Sequence, residues 1–92
     1  MKGLLIKDPT HWRDAWSAHI ATHMAICDST YNLLIFDERH SAEEITAQIA
    51  EAPEHVFQII DLEEAAEHCC DFVSDAGRYY RRVRAGRPRT AG

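Results

Sequence analysis

The chain has 92 residues, 46% of them hydrophobic and 27% charged, with four Gly and three Pro. A chain this short makes one small domain that buries only about 60–65% of its unfolded surface, which excludes an active-site cleft framed by two domains. The net charge of −5 is unevenly spread: all fifteen Asp and Glu fall within residues 1–77, where only Lys2, Lys7, Arg13 and Arg39 oppose them and leave −11, whereas residues 78–92 hold six Arg and no acid.

Gly3-Leu4-Leu5-Ile6 reads as a first strand. Asp8-Pro9 then supplies a candidate N-cap and a proline at the first helical position. Apolar residues recur at helical spacing from there to about Cys27, and Asp28-Ser29-Thr30 breaks the pattern. Tyr31 to Phe36 is a second strand, whose unbroken apolar run from Leu33 predicts burial on both faces, as inside a parallel sheet. Ser41-Ala42-Glu43-Glu44 fits a capping box. Ile45 and Ile49 mark the inward face of the helix it opens, which stops before Pro53. His55 to Ile60 is a third strand. Asp61 then caps a long last helix running to about Arg84, with Ala66, Cys69, Val73, Ala76 and Tyr80 on one stripe. Residues 85–92 read as a basic flexible tail.

The order β-α-β-α-β-α predicts a single three-layer α/β domain over residues 1–84, built on a short parallel three-stranded sheet. Helical crossovers between successive strands favour right-handed parallel connections. The alternative is an antiparallel α+β arrangement.

Six His and three Cys are candidates for chemistry. His19 and His23 fall in one narrow arc of the first helix with Trp12, Trp16 and Cys27, and two His at i and i+4 can chelate a metal ion. The competing reading packs them in the core, each His satisfied by one hydrogen bond and each free Cys acting as a small hydrophobe. Met1-Lys2-Gly3 leads into only three apolar residues before Lys7, so no signal peptide is expected, and three Cys then predict a reducing cytoplasm. No window approaches the ~18 uninterrupted apolar residues of a membrane span. No cofactor is expected.

In a parallel sheet, ligands bind beyond the carboxyl ends of the strands. Asp8 and Asp61 are there as caps, which leaves Asp37 and Glu38 as surplus acids and, with the His pair, as candidate metal ligands. The run Leu33-Leu34-Ile35-Phe36-Asp37-Glu38 resembles the Walker B strand of P-loop ATPases. Residues 31–77 are similar to the second half of P-loop type cobalamin adenosyltransferases, through Glu43-Glu44-Ile45, Ala52-Pro53-Glu54-His55-Val56 and Asp71-Phe72-Val73-Ser74. That resemblance implies that Asp37 and Glu38 serve the metal–nucleotide end of a site. The chain has no Walker A loop: Lys7-Asp8-Pro9-Thr10 follows the first strand, with no glycine to let backbone N–H groups surround phosphates. Nucleotide hydrolysis is therefore not expected.

Glu43, Glu44, Glu51, Glu63, Glu64, Glu67 and Asp71 are expected on the surfaces of the second and third helices. On the last helix acids come first and Arg78, Arg81, Arg82 and Arg84 last, an order that complements the helix dipole. A body this acidic repels nucleic acid and attracts basic surfaces. The leading expectation is a non-catalytic, cytoplasmic protein-binding module whose partner has a basic surface. A phage or mobile-element inhibitor of the anti-CRISPR type, seated on its target's nucleic-acid-binding surface, is one concrete form. One alternative is a metal- or nucleotide-dependent enzyme remnant. Another is weak DNA binding through Arg84, Arg87 and Arg89, since Arg84-Ala85-Gly86-Arg87-Pro88-Arg89 resembles an AT-hook with Ala85 in place of the first core Arg. Open sheet edges also allow a homo-oligomer.

Overall fold

The apolar run at the start of the chain forms an interior strand of an antiparallel sheet. The computed structural model describes residues 1–53 and 55–83. These form β1 (Lys2–Ile6), α1 (Pro9–His23), β2 (Ile26–Thr30), β3 (Leu33–Phe36), α2 (Ala42–Gln48), β4 (Phe57–Glu64), a 3-10 turn at Glu67–Cys69, β5 (Phe72–Val73) and β6 (Tyr79–Val83). The strand order is β2-β3-β1-β4-β6-β5, and every neighbouring pair is antiparallel. β1, α1, β2 and β3 make a split βαβ unit, with β3 between β1 and β2, and α2 leads from β3 to β4 on the other side of β1. The expected parallel three-stranded α/β sheet is thus replaced by an α+β arrangement.

Two misread segments account for the difference. Helix α1 ends at His23, and Ile26–Thr30 pairs with β3 around a bulge between Ile26 and Asp28. The polar Asp28-Ser29-Thr30, expected only to break the helical pattern, is therefore part of an edge strand turning directly into β3. The predicted last helix does not form. Asp61 is not a cap but lies within β4, ion-paired to Lys2 across the β1–β4 ladder. The chain returns as β6, so that Glu63 stands opposite Arg81 and Glu64 opposite Tyr80. Gly77, at φ +80°, makes the turn between β5 and β6. Acids followed by arginines suit a helix dipole, but they suit a hairpin equally well, because antiparallel pairing sets opposite charges side by side. The Arg81 Nε–H donates to Glu63 Oε1 at 3.0 Å and raises the Arg81 pKa further.

Of the predicted caps, Ser41 forms the full capping box with Glu44, whereas Asp8 adopts a left-handed conformation (φ 56°) and its side chain caps nothing. The Asp8 carbonyl instead accepts the His11 and Trp12 N–H groups.

Both faces of the sheet are apolar. One packs Leu4, Ile6, Leu34 and Phe36 beneath Ile20 and Met24 from the α1 segment and Ile45 of α2. The other gathers Leu33, Ile35, Ile60, Leu62 and Tyr80, with Met1, Leu5 and Phe72 at its margin. All of β3 is buried, as its apolar run predicts, but an antiparallel sheet achieves it. The sheet curls until its two edges meet over the second face. The Asp75 N–H donates to the Ser29 carbonyl at 2.7 Å, Ser29 Oγ–H to Asp75 Oδ2 at 2.9 Å, and Tyr80 O–H to Asp28 Oδ2 at 3.1 Å. Gly3 lies under this fold-over, where a Cβ would stand 2.6 Å from Leu62 Cδ1 and 2.9 Å from Leu33 Cδ1.

Burial works against the Asp28 carboxylate, but hydrogen bonds from the Ser74 side chain, the Ser29 N–H, Tyr80 and the Ala76 backbone outweigh it and lower its pKa. Burial and the bond to Asp28 push the Tyr80 phenol up. A carboxyl lowered on folding contributes stability that is complete above its unfolded value of about 3.9 and is lost as pH falls through the lower folded value. The urea midpoint is therefore expected to drop below about pH 4 in the wild type. Asp28→Asn should start lower at neutral pH and show a shallower acid limb; an unchanged acid limb would remove Asp28 from this role. Gly3→Ala is expected to cost about 1–3 kcal/mol by overpacking, read from the same titration at pH 7.

Candidate functional site

Register fixes which residues share an end of the sheet. Gly3 pairs with Ile35 and Ile60, and Leu5 with Leu33 and Gln58, so β3 and β4 both finish at the Lys2 end of β1 and both begin at its Ile6 end. At the Lys2 end stand Asp37 and Glu38 after β3, Glu43 and Glu44 in the first turn of α2, and Glu63 and Glu64 at the close of β4. Glu67, in the 3-10 turn, and Asp71 follow on the segment leading to β5, not on the expected long α-helix. Glu51 lies beyond the other end of α2, so the structure does not bring it to this group.

Several of these acids serve the fold. Glu63 pairs with Arg81, Asp71 Oδ2 accepts the Arg82 N–H at 2.9 Å, and Asp37 Oδ1 accepts the Arg39 N–H at 3.1 Å. Glu44 Oε1 accepts the Ser41 N–H at 3.2 Å while its own N–H donates to Ser41 Oγ. Glu38, Glu43, Glu64 and Glu67 are exposed and form no ion pair among the described residues.

The charge division moves as well. Arg78 precedes β6 and Arg81 and Arg82 lie in it, so residues 1–83 carry fifteen acids against seven bases, a net −8. Arg84, Arg87 and Arg89, and with them the AT-hook-like sequence and the tail, lie outside the described residues.

His19 and His23 are not on the inward face. The buried line of α1 runs through Trp12, Trp16 and Ile20 to Met24, and both His are exposed beside it, their rings edge to face at 5.3 Å. Cys27 is exposed on β2, and Cys69 is exposed in the 3-10 turn, not in the core. Asp37 and Glu38 follow β3 and do not join the α1 His pair. Among the described residues no group of three or more His, Cys, Asp or Glu is placed to hold a metal ion.

Sequence reasoning passed over His40. Its Nε2 accepts the Ala25 N–H at 2.9 Å, which leaves the proton on Nδ1, facing Glu44 Oε2 at 3.3 Å. The Ser41 N–H and then His40 hold the Glu44 carboxyl below its usual range. With both ring nitrogens engaged, this pair pins the β3–α2 loop to the α1–β2 loop and offers no free base.

The opposite, Ile6 end carries a cavity of about 440 Å³. Lys7, Asn32, His55 and Gln58 provide its polar lining, and Leu5, Val56 and Phe57 are among its apolar walls. Two backbone bonds set those walls: the Ile6 N–H donates to the Asn32 carbonyl and the Lys7 N–H to the Val56 carbonyl, each at 2.8 Å. His55 is left-handed at φ 70°, in a loop where the sequence predicts extended strand. Its position after Pro53 is the only sequence signal for a turn there.

Comparison with protein families, with characterised proteins and with solved structures finds no match to this chain. Among the described residues no helix is long and apolar enough to cross a membrane.

His40→Ala is expected to lower stability by about 1–3 kcal/mol, because it orphans the part-buried Ala25 N–H. The double variant His19→Ala/His23→Ala should stay within about 0.5 kcal/mol of wild type. Thermal unfolding of the two proteins side by side checks both, and equal losses would return the α1 pair to the core.

Proposed function

We propose that the chain is a non-catalytic protein-binding module whose carboxylate-rich end engages a basic surface on another protein. The observation that carries this reading is the set of unpaired, exposed carboxylates Glu43, Glu64 and Glu67, with Glu38, gathered at and beside the Lys2 end of the sheet. Internal pairing assigns Glu44, Glu63 and Asp71 to the fold and leaves the others to act outward. Glu51, at the far end of α2, adds to the long-range field and not to the contact.

Charges so placed steer encounter and set register more than they add affinity. They act within a Debye length of about 8–10 Å at physiological salt, so the partner's cations must approach the surface closely. A nucleic-acid-binding groove is one basic surface of suitable chemistry, and an inhibitor that fills such a groove is the concrete form of this function.

Glu43→Lys/Glu64→Lys/Glu67→Lys removes the proposed contact without touching a described ion pair. Affinity capture from host lysate by wild type and triple variant, with unfolding midpoints matched first, is the test. The variant should lose the proteins that wild type retains, wild-type capture should weaken steeply with salt, and a retained partner should release its nucleic acid. An identical captured set overturns the reading.

A further inference from the structure

We propose that the cavity at the Ile6 end of β1 binds a small organic anion, a carboxylate or phosphate monoester carried on an apolar body. The site lies at the opposite end of the sheet from the acidic surface and does not depend on that reading.

The cavity is preformed. Its walls come from the end of β1, the β2–β3 turn and the loop entering β4, and the Ile6–Asn32 and Lys7–Val56 backbone bonds hold these three segments together. A volume of about 440 Å³ falls in the ordinary range for small-molecule sites.

Its chemistry is opposite to that of the rest of the molecule. The chain carries fifteen acids, yet none of the described residues lining the cavity is a carboxylate. Lys7 is exposed there and, like Arg78 and Arg82, makes no ion pair among the described residues, whereas Lys2, Arg13, Arg39 and Arg81 each have a carboxylate partner. Asn32 and Gln58 add amide donors, and His55 an imidazole. Among the described lining residues a cationic ligand would meet the Lys7 ammonium and no carboxylate to offset it. Leu5, Val56 and Phe57 give the body of the ligand an apolar wall, so a bare inorganic ion would leave that surface unused.

The backbone adds an independent mark. His55 is one of two described non-glycine residues in the left-handed region, and the other, Asp8, directly follows Lys7. Such conformations persist where the surroundings over-determine them, and they concentrate at ligand sites. Of the two, His55 lines the cavity, whereas Asp8 is the N-cap position of α1.

The test is an amide-resolved NMR titration of the full chain with phenylacetate and with phenyl phosphate. Acetate, inorganic phosphate, 2-phenylethanol and 2-phenylethylamine serve as comparisons. Lys7→Gln and Lys7→Glu change an exposed side chain, and their spectra away from the cavity report that the fold is kept. Both aromatic anions should shift the amides of Lys7, Asn32 and His55 to Gln58 saturably. Lys7→Gln should weaken them, and Lys7→Glu should do so by about tenfold or more. The tighter of the two identifies the preferred head group. The proposal is overturned by the absence of saturable shifts at these amides, by equal binding of the alcohol or amine, by acetate or inorganic phosphate matching its aromatic counterpart, or by Lys7→Glu binding like wild type. Glu43→Lys/Glu64→Lys/Glu67→Lys should bind the anions as wild type does, which keeps the two readings separable.

Discussion

An antiparallel sheet with two apolar faces must cover both, and the two described helices lie on the same one. Leu33, Ile35, Ile60 and Leu62 on the other face would be left in water by a flat sheet. Curling the sheet until the β5–β6 turn reaches β2 covers them with the sheet itself. Burying each such side chain contributes about 1.5–3 kcal/mol. The clasp between the edges is three hydrogen bonds, two of them to carboxylates at about 1.5–3 kcal/mol each and one between backbone groups at about 0.5–1.5 kcal/mol, no more than the four side chains together contribute. Apolar burial therefore drives the curl, and the clasp decides where the edges meet. Gly3 makes the closeness of this packing sterically feasible, because a Cβ there would press on Leu33 and Leu62.

The same geometry sorts the charges. Pairing β4 with β6 brings arginines back along a stretch of acids and absorbs Glu63 and Asp71 into the hairpin, so that a body that sums to −11 over residues 1–77 becomes a folded unit of −8. Among the described residues Glu38, Glu43, Glu64 and Glu67, which form no ion pair, lie near the end where β3 and β4 finish, while Glu51 lies beyond the far end of α2. The end where β3 and β4 begin carries a cavity with a lysine and amide donors.

What was legible in the sequence was local. Pro9 opens α1, Ser41 and Glu44 close their capping box, and the Leu33 run is buried on both faces, as their chemistry requires. The phase of α1 was not legible. Trp12, Trp16 and Ile20 continue to Met24 at a four-residue spacing, and counting His19, His23 and Cys27 into the same arc rotated the helix toward the wrong residues. The candidate sites suffered for the same reason: His40 draws its role from Ala25, fifteen residues away, and the cavity from three loops that only folding assembles.

By itself the sequence determined short-range matters: where helices can start, which runs must be buried, and that acids outnumber bases. Tertiary structure decided the rest. The segment after Asp61 satisfies a helical stripe and a hairpin almost equally in its residue types, with Asp75-Ala76-Gly77 the sole local mark of the turn. The choice fell to β4, whose edge offers hydrogen-bond partners to β6, and to the exposed apolar face that Tyr80 and Phe72 help to cover. Those partners lie far apart along the chain, and local propensity, worth well under 1 kcal/mol per residue for most side chains, yields to them.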